Sequence, residues 1–362
     1  MSRYIVQSLL LGLLLVLLSR NLGRFNLFQT AFAATWTLSI IIIRFIYGQG
    51  QSQFYSNDQE AQLQMLYKFE RDGLQVSIEQ VISNRYVVII PAWILKTVGF
   101  EPLLAFKFFQ ALCLLFIYKM CSNFLKNASI TVKTWHTLFF VGPLFIFIST
   151  IGIRDIQIVL CSTIFFLSPS VQPRVYALLI ALLLRPHLAV ALIFGLLIRI
   201  YFSRFQLQRP LYSLPVLVIG AFAAGAIGHS LGTFVQYGIS MPVPKIFLQD
   251  NWWRVFANFI GVQFLTFGED VVAMTTQQLL ALRILFADTF IIPTLFIVTL
   301  LFPKIRFSDL RVQVFVSFVF FLGLVSQTNF NSSRQNMPFL SVMGVLGLVA
   351  VLKPDKSEFQ KE

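Results

Sequence analysis

Five polar groups interrupt an otherwise apolar sequence, and each has residue types that could do chemistry. Asn57-Asp58-Gln59-Glu60 places two carboxylates two residues apart. That spacing suits a general base or a partner for metal or phosphate, and equally a helix N-cap in which Asn57 or Asp58 satisfies free amides. Gly152-Ile153-Arg154-Asp155 sets opposite charges side by side between two apolar runs, with Asp155 suited to the first turn of a helix. Arg185-Pro186-His187 separates the apolar pieces 175–184 and 188–201. Proline breaks a helix and frees backbone groups, while the guanidinium fork suits a phosphate, or else a buried ion pair with Asp155. The stretch 327–338 carries Arg334 among amides and hydroxyls with no anion, which fits a phosphate, a sugar or a solvated turn. Arg283 and Asp288 stand five apart and so miss the three- or four-residue spacing of helical pairing. Each therefore needs a partner on another helix or at the interface.

The elements that must position these residues follow from composition. The chain has 362 residues, 57% apolar and 12% charged, against about 25% charged in an ordinary soluble domain. A water-soluble enzyme is excluded on that ground. Apolar stretches able to span a bilayer are 4–19, 28–48, 103–120, 134–152, 156–171, 212–231, 277–302, 310–326 and 339–352. The expected fold is all-α: a polytopic membrane helical bundle of about nine full spans with a broken, re-entrant helix pair around Arg185. It forms a single domain over 1–362, with outer regions at 49–102 and 232–276.

Net charge is +13, which in a soluble chain would suggest nucleic acid. Basic residues instead hold cytoplasmic loops in place. Placing Arg20, Lys126, Lys133, Arg174, Arg204 and Lys353 inside collects nearly all of the excess there, so no nucleic-acid partner is expected. The same placement puts residue 1 outside and the C-terminal residues in the cytoplasm. It makes 86–100, with Pro91, Lys96 and Gly99, a juxtamembrane segment rather than a crossing. Asp58, Glu60, Arg154, Asp155, Arg185, His187 and Arg334 then all fall in the outer half of the membrane or just beyond it, around a pocket fit for an anionic, partly lipidic ligand.

Supporting features are more local. The run 5–18 lacks a small-x-small cleavage signal and reads as a retained helix. Residues 59–69 place Leu63, Leu66 and Tyr67 on one helical side, an amphipathic surface helix. Trp252-Trp253 reads as an interfacial anchor, and Ala221, Gly225, Gly228 and Gly232 as a close-packing stripe. Cys113, Cys121 and Cys161 lack metal or disulfide spacing. His136 and His229 lie at span ends and read as interfacial. No P-loop, HExxH or DxD pattern occurs.

The order of these features resembles the GT-C-type integral-membrane glycosyltransferases over most of the chain. Asn57-Asp58-Gln59-Glu60 is similar to the acidic motif that follows an early span in that family. The segment 91–107 is similar to its juxtamembrane helix, and the pair around Arg185 to its short paired helices. The resemblance implies transfer of a sugar from a polyprenyl-phosphate-linked donor to a glycan or lipid acceptor at the outer face of a bacterial inner membrane. Asp58 would be the catalytic general base, and Glu60 would assist it or bind a divalent metal cofactor. Arg154, Arg185 or Arg334 would hold the carrier phosphate, with Asp155 and His187 beside them. The same arginines and His187 are also similar to exopolysaccharide and O-antigen polymerases, which transfer a whole lipid-linked glycan. A secondary transporter or lipid flippase could use a broken helix pair as well, although no second broken segment occupies a corresponding half.

Overall fold

The computed structural model describes residues 2–21, 27–47, 57–73, 86–152, 154–204, 215–227, 287–301, 309–325 and 337–353. Among them all regular structure is helical and there is no strand, in line with the all-α expectation. The outer region 232–276 with its tryptophans, and the segments holding His229, Arg283 and Arg334, lie outside the described residues.

In chain order the helices are α1 Ser2–Asn21, α2 Leu27–Tyr47, α3 Asn57–Asp72, α4 Tyr86–Thr97 and α5 Pro102–Asn127. A short 3-10 helix Thr134–Phe139 precedes α6 Pro143–Ile151, α7 Asp155–Leu167, α8 Val171–Leu184 and α9 Pro186–Arg204. Then come α10 Pro215–Ile227, α11 Asp288–Leu300, α12 Leu310–Val325 and α13 Met337–Leu352. Two of them, through Arg3–Arg20 and Pro102–Asn127, are long and apolar enough to cross a membrane.

The boundaries have local causes. Pro102 opens α5 where its missing N–H costs nothing, and the Glu101 side chain accepts the Leu104 N–H at 3.1 Å as a cap. Residues 134–152, expected as one span, are two elements. Gly142 is extended, as the residue before a proline prefers, and Pro143 then starts a new helix. Gly99, at φ +104, turns the chain from α4 into α5. Its carbonyl receives Arg3 Nη2 at 3.3 Å and Gln7 Nε2 at 3.1 Å, which ties the start of α1 to the start of α5.

Helix α3 is amphipathic as expected, but its buried side differs. Leu66 is buried and Leu63 half-buried, whereas Tyr67 is exposed. The Lys96 ammonium of α4 lies 4.8 Å from the Tyr67 ring. Phe69 does the docking, edge-on to Tyr86 and Trp93 at centroid distances of 5.5 and 5.7 Å.

The core runs along α12 and α13, which are buried from Leu310 to Val325 and from Met337 to Ala350. Helix α9 lies against α12, with Phe194 and Phe320 stacked at 4.0 Å. Helix α10 crosses α12 where Gly225 meets Gly323. A Cβ on Gly225 would come within 2.9 Å of the Leu324 nitrogen, so the two backbones touch. The expected small-residue packing is thus present at Gly225. The periphery is apolar instead of polar: Leu13 on α1, Leu179 on α8, Leu197 on α9 and Val216 on α10 are all exposed.

Candidate functional site

The α6–α7 and α8–α9 junctions meet. Gly152 closes α6 at φ +84, a left-handed value that L side chains resist, and its amide bonds the Ile148 carbonyl at 3.2 Å. A Cβ here would lie 2.9 Å from Lys107 Cγ and 3.2 Å from the Lys107 nitrogen, so only glycine lets this turn rest on α5. Asp155 then occupies the first turn of α7, buried, where a carboxylate complements the helix dipole as the sequence suggested.

Helix α8 ends at Arg185, whose φ of −157 and ψ of 86 depart from the helix, and Pro186 begins α9. The expected break is therefore present. Pro186 has no N–H, and the Leu188 amide is taken by the Arg185 carbonyl at 2.9 Å. That leaves the Leu184 carbonyl without a successor in its own helix. Arg154 supplies the donor, its Nη1 lying 2.8 Å from Leu184 O. The Arg185 guanidinium sits over the Phe321 ring of α12 at 5.0 Å, which fixes its plane. His187 follows on the first turn of α9, half-buried.

Lys107 was not singled out by sequence reading. It is buried in α5 between Phe106 and Phe108, and its Nζ lies 3.4 Å from the Tyr4 hydroxyl of α1. One turn further along α5, both amide atoms of Gln110 are buried with no hydrogen-bond partner among the described residues, and so are both of Gln157 on the adjacent α7. Buried amides left unpaired are costly, so these four atoms need polar partners beyond those the described residues supply. A lone lysine among phenylalanines was the signal available in sequence.

The arrangement thus gathers Lys107, Arg154, Asp155, Arg185 and His187 on the junctions around α5, α7, α8 and α9. Guanidinium groups held by Leu184 O and the Phe321 ring suit an anion with hydrogen-bonding oxygens. Asp58 and Glu60 fall on the first turn of α3, but their side chains lie outside the described residues, as does all of Arg334. At the far end of α3, the Arg71 guanidinium bonds Asp72 at 2.7 Å and holds its carboxyl below the usual carboxylate range. Among the described residues no group of three or more His, Cys, Asp or Glu could hold a metal ion.

Two other polar groups have local roles. His136 Nδ1 accepts the Lys133 N–H at 3.0 Å and caps the 3-10 helix. Asp288 finds its partner on another helix, as its spacing from Arg283 required. Its Oδ2 accepts the Leu144 N–H at 3.3 Å, at the N-terminus of α6. No protein-family model, no curated protein and no solved structure matches the chain.

Proposed function

We propose that the chain is a polytopic enzyme of a bacterial inner membrane, with residue 1 outside and the C-terminal residues in the cytoplasm. In this reading it transfers a sugar from a polyprenyl-phosphate-linked donor to a glycan or lipid acceptor at the outer face. Membrane placement is supported by the exposed apolar faces of α1, α8, α9 and α10 around a buried α12 and α13, a distribution that water would penalise and lipid would not.

The observation that carries the chemistry is the approach of Arg154 to the helix break at Leu184 and Arg185. At about 1.5 Å per residue, α8 rises about 21 Å against a hydrocarbon thickness of about 30 Å, which leaves its tip inside the membrane's outer half. A phosphate on a lipid carrier has its tail in the bilayer and its charge at that depth. Cleaving the sugar from it develops negative charge on the phosphate oxygens, and guanidinium groups held in place by Leu184 O and Phe321 stabilise that charge without reorganising. The attacking hydroxyl loses its proton to a carboxylate, for which Asp58 is the candidate, with Glu60, two residues on, as the second. Arg334 is a further candidate for the phosphate.

His187, half-buried one residue beyond Pro186, favours a second reading, the joining of whole lipid-linked glycans by a polymerase. Asp58→Asn separates the two. In liposomes holding the full chain and a lipid-linked glycan donor, the expected result is loss of product with the protein retained in the membrane. Transfer that survives Asp58→Asn and is lost in His187→Ala would refute the general-base role and move the reading to the polymerase.

A further inference from the structure

At the opposite end of the α8–α9 hairpin lies a cavity of about 480 Å³, lined by the ends of α5, α7 and α13 and by the cation-bearing feet of α8 and α9. We infer that this cavity binds the phosphate of an anionic phospholipid of the inner leaflet. The inference rests on the membrane placement proposed above and not on the transfer chemistry. Arg174 stands eleven residues before Arg185 on α8, about 16 Å along the helix, so this site is distinct from the hairpin tip.

Among the described residues, the charged side chains lining the cavity are Arg174 and Arg199. Asp309, next to the lining residue Leu310, is engaged by Arg311 with Nη2 to Oδ2 at 2.6 Å. Each arginine is oriented by a bond to its surroundings. Arg174 Nε donates to Ser168 O at 2.8 Å, and Arg199 Nη1 to Gln313 Oε1 at 3.2 Å. A guanidinium carries its N–H donors in a rigid fork, so such anchoring sets its plane. Asn123 and Asn127 of α5 add amides to the polar wall, and Met120, Phe124 and Phe166 form the apolar one.

This combination of two cations, amides and an apolar wall matches a headgroup phosphate with the start of an acyl chain. Lys353 Nζ donates to the carbonyl of the lining residue Ala128, and basic pockets on the cytoplasmic side of membrane helices attract anionic headgroups. A soluble phosphate would use the arginines and leave the apolar wall without purpose.

The test uses the full chain purified in a non-ionic detergent and incubated with phosphatidylglycerol or phosphatidylcholine, with lipid retention read by native mass spectrometry. The wild type should retain phosphatidylglycerol at least about fivefold over phosphatidylcholine. Arg174→Gln/Arg199→Gln should lose that preference, and Lys126→Gln, a charge change outside the cavity lining, should keep it. Asn123→Trp fills the cavity from an exposed position with both arginines in place, and should also release the lipid. Equal retention of the two lipids by the wild type, or an unchanged preference in the double variant or in Asn123→Trp, would overturn the inference. So would stabilisation of the wild type by inorganic pyrophosphate without any preference among lipids, since the ligand would then be a soluble anion. Recovery of the chain in the membrane fraction reads the placement separately from any of these.

Discussion

Replacing Arg154 by glutamine tests the bond on which the candidate site is built. The Leu184 carbonyl ends α8 at a position where Pro186 offers no N–H and the Leu188 amide is already committed. Its charged partner lies at 2.8 Å. A hydrogen bond from a charged donor contributes about 1.5–3 kcal/mol, and a buried carbonyl left unmatched costs about 1–3 kcal/mol. Taking about 2 kcal/mol, the folded fraction should fall about thirtyfold relative to the unfolded one. Reversible unfolding of the purified chain in mixed detergent micelles, followed by circular dichroism, measures this directly. Arg154→Lys keeps the charge but lacks the planar fork, so it should recover less than half of the loss. A glutamine variant within about 0.5 kcal/mol of the wild type would show that the hairpin tip does not depend on Arg154, and the anion site argued from it would lose its floor.

Three further outcomes are accessible in the same assay. Gly152→Ala should destabilise by about 2 kcal/mol or more, because it combines a left-handed backbone with a contact 2.9 Å from Lys107 Cγ. Gly323→Ala should cost about 1–3 kcal/mol by pushing α10 off α12, and disulfide trapping between cysteines placed on the two helices should show their separation. Lys96→Met should change stability by less than about 1 kcal/mol, since its pairing with Glu70 is partly open to solvent.

Much of the α-helical layout was legible because the signals are local. Proline at 186, glycine at 152 and the charge pair at 154–155 mark chain breaks whatever surrounds them, and all three occur where the residue types require. The division of 134–152 was missed because the apolar run outweighed Gly142-Pro143, although the proline rule pointed to a new start. Helical period groups Leu63 and Leu66 on one side of α3 but does not say that Tyr67 meets the Lys96 ammonium. The candidate site was legible in its arginines and not in its neighbours. Nothing along the chain says that the Arg154 side chain reaches a carbonyl thirty residues away, that Arg185 lies over Phe321, or that Gln110 and Gln157 face an interior without partners.

The enclosure of α12, and of α13 up to Ala350, bears on how the molecule is made. Both are synthesised after α9 and α10, between which α12 is held, and after α5 and α7, against which α13 packs. In the membrane placement proposed above, helices that keep an apolar outward face could enter lipid singly. The last two have no such face, and each must instead be threaded into a trough that earlier helices have already formed. Until residues 309–325 arrive, that trough leaves Phe194, Gly195 and Gly225 without the Phe320, Ser317 and Gly323 contacts that later cover them. A ribosome pausing before residue 309 would prolong exposure of the most closely fitted surfaces in the bundle.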